Sequence, residues 1–419
     1  MAGFYVLSFM MFLVFLGGGA TMPLFPLYAQ SLGATLVQIS WIAGANATMG
    51  LIASLGFGRV SDRLGRRKPL LVAAMAAMVV TNLTASLAES WWTLLVVRLV
   101  DGAAFGAYAV ASLAMLGDIL AHHPHRARLV GASRMAGSLA FSIAVTSAGL
   151  VAQNLGLPAV YRAASAIFFF AFLASLLLPE RRSVARPATS RKTVSFGELL
   201  RGPMLPLLVL VASFQIPFSA VFFAVWPIWV SNVLNLGPAI FSQLWGLAAF
   251  VEVPSLAIAG YLSDRFGRRF TFTLGMVVFA GVYFLYLAVA LLGGVANAML
   301  PAFLGGAAEG QSALPVLVVA QLLRGFGLAA FTATALTMAI EVSPPQSRGR
   351  AAGLYSMAES LSSIVGNYIG GPIAQTFGYA ALFAGAGCAV LFGAGYVQTA
   401  VAHPGKREPF PVGSQADEA

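Results

Sequence analysis

Charge is scarce in this chain. Asp, Glu, Lys and Arg make up 9% of its 419 residues, where a soluble globular domain carries roughly a quarter. A soluble protein needs charge to cover its outside, so an ordinary soluble enzyme is excluded. Cysteine is scarcer still. The one copy, Cys388, lies in an apolar run, which rules out a disulfide framework or a thiolate metal site and leaves the redox compartment unread. His122, His123 and His125 form a loop cluster with too few ligands for a metal. No G-x-x-x-x-G-K-[ST] occurs and no soluble stretch is long enough for an ATPase, so primary pumping is excluded. A membrane-embedded enzyme would need a nucleophile or metal cluster, and neither pattern is present; no cofactor is expected.

Apolar residues are abundant: 59% of the chain is hydrophobic, with 31 Phe and a mean hydropathy of +0.85. Such a surface is stable only against hydrocarbon, so the chain reads as a polytopic membrane protein. About 20 apolar residues in a helix cross a hydrocarbon core of ~30 Å. Twelve runs qualify, near 4–28, 37–58, 70–88, 92–117, 129–151, 159–178, 204–230, 240–262, 272–293, 314–340, 351–375 and 378–400. They are continuously apolar, without the ten-residue alternation of barrel strands, so helices are expected. The first run lacks a basic region before it and is long enough to span, which makes it a transmembrane helix instead of a signal peptide.

The 24 Lys and Arg outnumber the 14 Asp and Glu, yet they punctuate apolar runs instead of clustering as in a nucleic-acid binder. Twenty of the 24 fall in the even-numbered loops, the central connection and the tail. Lys and Arg are retained on the cytoplasmic side of short loops, so both termini are expected to be cytoplasmic, in a plasma membrane of bacterial inner-membrane type. Residues 179–203 have the Arg, Ser, Thr and Pro content of a solvated linker between two six-helix halves, 1–178 and 204–400. The tail, 401–419, is polar and expected to be disordered.

The two halves share a repeat. The loop after span two runs from Gly58 through Asp62, Arg63 and Gly65 to Arg66 and Arg67; the loop after span eight runs from Gly260 through Asp264, Arg265 and Gly267 to Arg268 and Arg269. Every pair is offset by 202 residues. This duplicated pattern resembles the signature loop of the major facilitator superfamily, and the resemblance covers essentially all twelve spans. It implies an all-α membrane fold of two pseudo-symmetric six-helix bundles and secondary transport by alternating access. It also implies that the loop latches the outward-open state, with Arg66 bonded to Asp118 at the end of span four and Arg268 to Glu341 at the end of span ten. Arg98, Asp101, Gly102 and Gly106 in span four resemble the family's second motif, an Arg followed by small residues and associated with proton coupling. Arg98 and Asp101 are also three apart on one helical face and could simply neutralise each other. Span five departs from the family's drug/proton antiporters, since Gly137 to Gly149 contains no proline; a Gly370-Gly371-Pro372 stands in span eleven instead.

Ionisable residues at bilayer depth are costly and mark pathways by default. Six are expected there: Arg98, Asp101, Arg134, Glu252, Arg324 and Glu359. Three are positive and three negative, so pairing could neutralise them all. Glu359 is the first candidate to carry the proton, with Glu252 and Asp101 as alternatives. The family arrangement implies that spans five and eight lie side by side across the halves, so Arg134 and Glu252 are a candidate gate pair, the competing reading being that each finds a partner within its own half. Gln215, Ser219, Phe222 and Trp226 recur at helical spacing on span seven, and with Trp245, Tyr355 and Asn46 they are candidates to line a substrate cavity. The aromatics could equally serve packing, and Asn46, Asn82 and Asn367 could be interhelical hydrogen-bond partners. The expected activity is proton-coupled export of a small amphipathic molecule, a drug, sugar or metabolite, by a monomer. Import of a small solute by proton symport is the alternative. A non-transporting sensor or scaffold would be expected to lose its buried charges, and this chain keeps six.

Overall fold

The computed structural model describes residues 2–64, 66–121, 123, 125–179, 204–299, 313–341, 343 and 348–400. Gly65, the linker from residue 180 to 203 and the tail lie outside the described residues, as does the side chain of Asp62. The chain is a succession of long helices: α1 (Ala2–Thr21), α2 (Phe25–Ser31), α3 (Leu36–Leu64), α4 (Lys68–Ser86), α5 (Trp91–Ile119), α6 (Arg126–Leu155) and α7 (Leu157–Leu176). The second half contains α8 (Met204–Ala220), α9 (Trp226–Ile228), α10 (Pro238–Phe266), α11 (Arg268–Met299), α12 (Leu314–Glu341) and α13 (Arg348–Ala400). Among the described residues eleven helical stretches are long and apolar enough to cross a membrane. The last, Arg350–Gln398, is 49 residues long, enough for two crossings. Gly378, at φ 84° and ψ 166°, breaks it, a conformation open to glycine at little cost. Twelve crossings result.

Two spans are less regular than their apolar patterns suggest. Span one is interrupted between α1 and α2, where Pro23 has no N–H to donate and the Gly17-Gly18-Gly19 run weakens the helix before it. Span seven passes from α8 through π-helical Val221–Val225, α9 and π-helical Trp229–Val233. Pro227 explains the first of these: its ring would collide with the carbonyl four residues back, and a wider turn relieves the clash.

Helix packing follows the halves. In the first, α3 packs on α5, α4 on α5 and α7, and α1 on α6 and α7; in the second, α10 and α11 pack on α12, and α13 packs on α8 and α11. Glycines set the closest approaches: a side chain on Gly102 or Gly106 of α5 would run into the α3 backbone at Asn46 or Gly50. The halves meet along α6 with α10 and α3 with α13. Gly371 N–H donates to Ser40 Oγ (2.7 Å), Val37 N–H to Gln375 Oε1 (3.3 Å) and Ser142 Oγ to the Gly246 carbonyl (3.3 Å). These contacts run from mid-depth to the end opposite the arginine-rich loops, hereafter the far end. Burial fades toward the other, basic end. On α6, Ser142, Val145 and Gly149 are buried, while Gly131 and Ser138 are half-buried and Arg134 is exposed. On α13, Asn367 and Gly371 are buried, Glu359 is half-buried, and Ser356 and Gly353 are exposed. The cleft between the halves is therefore closed at the far end and widens toward the basic end.

Candidate functional site

Two chambers lie at mid-depth where the halves face each other. The larger, about 230 Å³, is lined by Asn46, Asn82, Arg98 and Asp101 of the first half and by Ser363 and Asn367 of the second. Arg98 Nη1 lies 3.3 Å from Asp101 Oδ2, and Thr81 Oγ1 donates to Asp101 Oδ1 at 3.4 Å. Asn46 Nδ2 donates to the Arg98 carbonyl (2.7 Å), tying α3 to α5. The guanidinium stacks 4.4 Å over Phe25 of α2. Two opposite charges on one helix thus cancel, and the chamber is polar but neutral.

The smaller chamber, about 150 Å³, is lined by Trp245, Glu252 and Arg324 of the second half, with Phe141 from α6. Arg324 is 4% exposed. Its guanidinium lies 4.4 Å from the Phe222 ring and 4.5 Å from Trp245, with Trp226 at 6.0 Å. Nη1 donates to Gln321 Oε1 at 2.9 Å, and Gln321 Nε2 donates to Tyr286 Oη at 2.8 Å. Aromatic faces attract a desolvated cation by about 2 kcal/mol or more each, which offsets part of the burial cost. Glu252 forms no ion pair with Arg324 within 4 Å among the described residues, although their charges interact across the chamber.

At the basic end, among the described residues, each half forms an ion pair of its own. Arg268 Nε lies 2.6 Å from Glu341 Oε2, the pair expected from the repeat. In the first half Asp118 is bonded by Arg67 Nη1 at 2.9 Å, not by Arg66 as expected. A one-residue step rotates a helix start by about 100°, and it is Arg67, directly before α4, that turns toward the end of α5. Both pairs are intact while the cleft is open to the basic end. Each of these pairs lies within one half, and neither crosses the cleft.

The match to known sequences agrees with this architecture. The family model described as Major Facilitator Superfamily covers residues 7–312 and 286–416. The chain belongs to the major facilitator superfamily. It is 25% identical over 415 residues to multidrug resistance protein MdtG of Klebsiella pneumoniae (strain 342), covering 93% of this chain and 92% of that protein. It is also 25% identical over 286 residues to sugar efflux transporter A of Escherichia coli (strain K12), covering 68% and 71%. The crystal structure of the nucleoside transporter NupG shares the fold, with a TM-score of 0.75 at 14% identity over 96% of this chain and all of that one.

Within the superfamily fold, the expected site residues separate into groups. Of the seven candidates for cavity lining, Asn46 and Trp245 line the two chambers, whereas Gln215, Ser219 and Tyr355 line neither. Phe222 and Trp226 are wholly buried behind the Arg324 guanidinium. Mutual neutralisation of all six charges is not what the structure contains: Arg98–Asp101 is the one ion pair formed among them in the described residues. Glu359 accepts a 2.7 Å hydrogen bond from Tyr355 Oη instead, one and two turns from Ser363 and Asn367 on the same stripe of α13. Arg134 is exposed and forms no ion pair with Glu252 in this conformation, among the described residues.

A second repeat becomes visible once α5 and α12 are superposed in register. At an offset of 223 residues Asp118 matches Glu341, Gly102 matches Gly325, Arg98 matches Gln321 and Asp101 matches Arg324. Arg98-Leu-Val-Asp-Gly102 thus corresponds to Gln321-Leu-Leu-Arg-Gly325, with a cation where the first half has its carboxylate. The signal was available in the sequence through Asp118 and Glu341. Met22, Phe223 and Gln321 are the site residues that patterning missed.

Proposed function

We propose that this secondary transporter exports a small amphipathic molecule in exchange for protons, from the cytoplasm across a bacterial inner membrane. The observation that carries the reading is a cleft closed at one end and open at the other, with ionisable residues of both halves at its mid-depth. Alternating access needs two such arrangements of similar free energy, each exposing the same chambers to one side. The distribution of Lys and Arg supports a cytoplasmic basic end, with both termini on that side. The open cleft is then the one that loads an exported substrate. Relatives named for multidrug resistance and sugar efflux support this direction. Residues 1–178 and 204–400 are the two moving bodies, and the protein acts as a monomer.

Import by proton symport is the competing reading, favoured by the missing proline in span five. Purified protein in liposomes separates the two. An acidic interior should drive uptake of radiolabelled disaccharide or ethidium by an antiporter, whereas an acidic exterior should drive uptake by a symporter. Gradient-driven uptake in the second case alone would reverse the proposed direction.

A further inference from the structure

The two chambers share two residues. Met22 and Phe223 line both. Met22 lies in the interruption between α1 and α2, and Phe223 in the π-helical piece of span seven, so each divider residue sits on an irregular piece of backbone. Irregular turns are where a helix yields at least cost. Each chamber alone is below the roughly 300 Å³ at which small-molecule sites begin, and the two joined exceed it.

Their chemistry differs. The larger chamber is lined by three asparagines, Asn46, Asn82 and Asn367, with Ser363, and its only charges are the mutually paired Arg98 and Asp101. Asn367 is 3% exposed and its Oδ1 has no hydrogen-bond partner among the described residues. An unpartnered buried acceptor costs about 1–3 kcal/mol, which a ligand hydroxyl would recover. Neutral walls carrying both donors and acceptors fit a polyhydroxylated group. The smaller chamber presents the ring of Trp245, with Phe141 and Phe218, beside the Arg324 guanidinium, which is already held by Gln321 and the Phe222 and Trp245 rings, and the Glu252 carboxylate, which accepts no hydrogen bond among the described residues. Those walls fit a flat aromatic ring with a hydrogen-bond donor at its far edge.

We infer that the chambers form one bipartite site for an aryl glycoside or a molecule of that kind: a neutral hydroxylated head between α3, α5 and α13, an aromatic tail against Trp245, and Met22 and Phe223 as the divider that yields between them. This rests on the reading of the cleft as a transport site, yet it is tested by binding alone. The probes are 4-aminophenyl β-D-glucopyranoside, D-glucose and aniline, measured by scintillation proximity and competition on the full chain in nanodiscs. The glycoside should bind at least tenfold more tightly than either fragment. Trp245→Ala should bring the glycoside to within threefold of glucose and leave glucose unchanged. Asn367→Ala should weaken glucose and the glycoside by the same factor and leave aniline unchanged. Melting temperatures without ligand verify folding, and Trp245→Leu replaces the alanine variant if that fails to fold. A glycoside no tighter than glucose would overturn the inference. So would both variants weakening both fragments alike, or no binding by any probe. Because proton-driven flux is measured separately, either reading can fail without the other.

Discussion

Replacing Gly371 by alanine should tip this transporter toward the state open at the far end. A Cβ at Gly371 would meet the Leu36 carbonyl oxygen and the Ser40 side chain, both on α3 in the opposite half. The carbonyl is fixed in its helix, and Ser40 Oγ already accepts the Gly371 N–H, so neither can withdraw without loss. Overpacking of this kind costs about 1–3 kcal/mol. The cost falls only on the state in which the halves touch here, so the equilibrium should shift by about 5- to 150-fold. The second interface offers an independent version, since a Cβ at Gly149 of α6 would strike Pro238 and Ser242 of α10. With no shared partners the two effects should add. Ser142 reports the opening: it is buried between the halves, and as Ser142→Cys, in a Cys388→Ala background, it should react with a maleimide only after the far end parts. Gly371→Ala should raise that rate by the same 5- to 150-fold. Gly102→Ala is the control, because its collision with Asn46 lies within the first half and costs the same in either state. Unchanged labelling in Gly371→Ala, or an equal rise in Gly102→Ala, would refute the reasoning.

Asp62→Asn should nearly abolish transport at normal membrane insertion, whereas Asp264→Asn should be milder; wild-type flux in the first variant would remove the loop from the mechanism. Glu359→Gln should uncouple proton movement from substrate flux in liposomes, and Tyr355→Phe, which deletes the 2.7 Å hydrogen bond to that carboxylate, should alter the pH dependence of transport without abolishing it. Unaltered substrate-driven proton movement in Glu359→Gln would eliminate Glu359 as the carrier. Arg134→Ala and Glu252→Ala should be strongly non-additive in their effect on accessibility from the basic end if the pair forms on closure, and additive effects would remove that gate.

The span count and the pairing of Arg268 with Glu341 were legible because they depend on quantities a sequence carries directly: the length of apolar runs, the positions of cations and a repeat at constant offset. The boundary between the last two spans fell at Gly378 for a local reason, the positive φ found there. Rotation and depth were less legible. Arg67 instead of Arg66 reaches Asp118 because the pairing depends on how α4 begins, which no periodicity in the loop encodes. Phe222 and Trp226 share a helical stripe with Gln215, as the spacing says, yet the guanidinium of Arg324 stands between those rings and the chamber. A stripe defines a face and not what lies in front of it. The first π-helical piece of span seven follows from Pro227 only in hindsight, since a proline in a long helix can kink it as readily as widen it.

The exchange of Asp101 for Arg324 between matching positions has a mechanical consequence. In the first half the cation and the carboxylate lie on one helix, so domain motion leaves their separation unchanged and the pair stays neutral throughout the cycle. In the second half the carboxylate comes from α10, at Glu252, where the 202-residue repeat puts Gly50 in the first half. Gly50 offers its backbone carbonyl to the close approach of Gly106 on α5; the glutamate at the matching place instead faces a chamber. With the cleft open, Glu252 and Arg324 of its own half line the same chamber, and their charges interact across it. Closure of the basic end would bring α6, and with it the exposed Arg134, toward α10. In the gate proposed between Arg134 and Glu252, this half-buried glutamate is the carboxylate whose electrostatic partner depends on the conformation, and a charge with that property couples occupancy of a site to the state of the cleft.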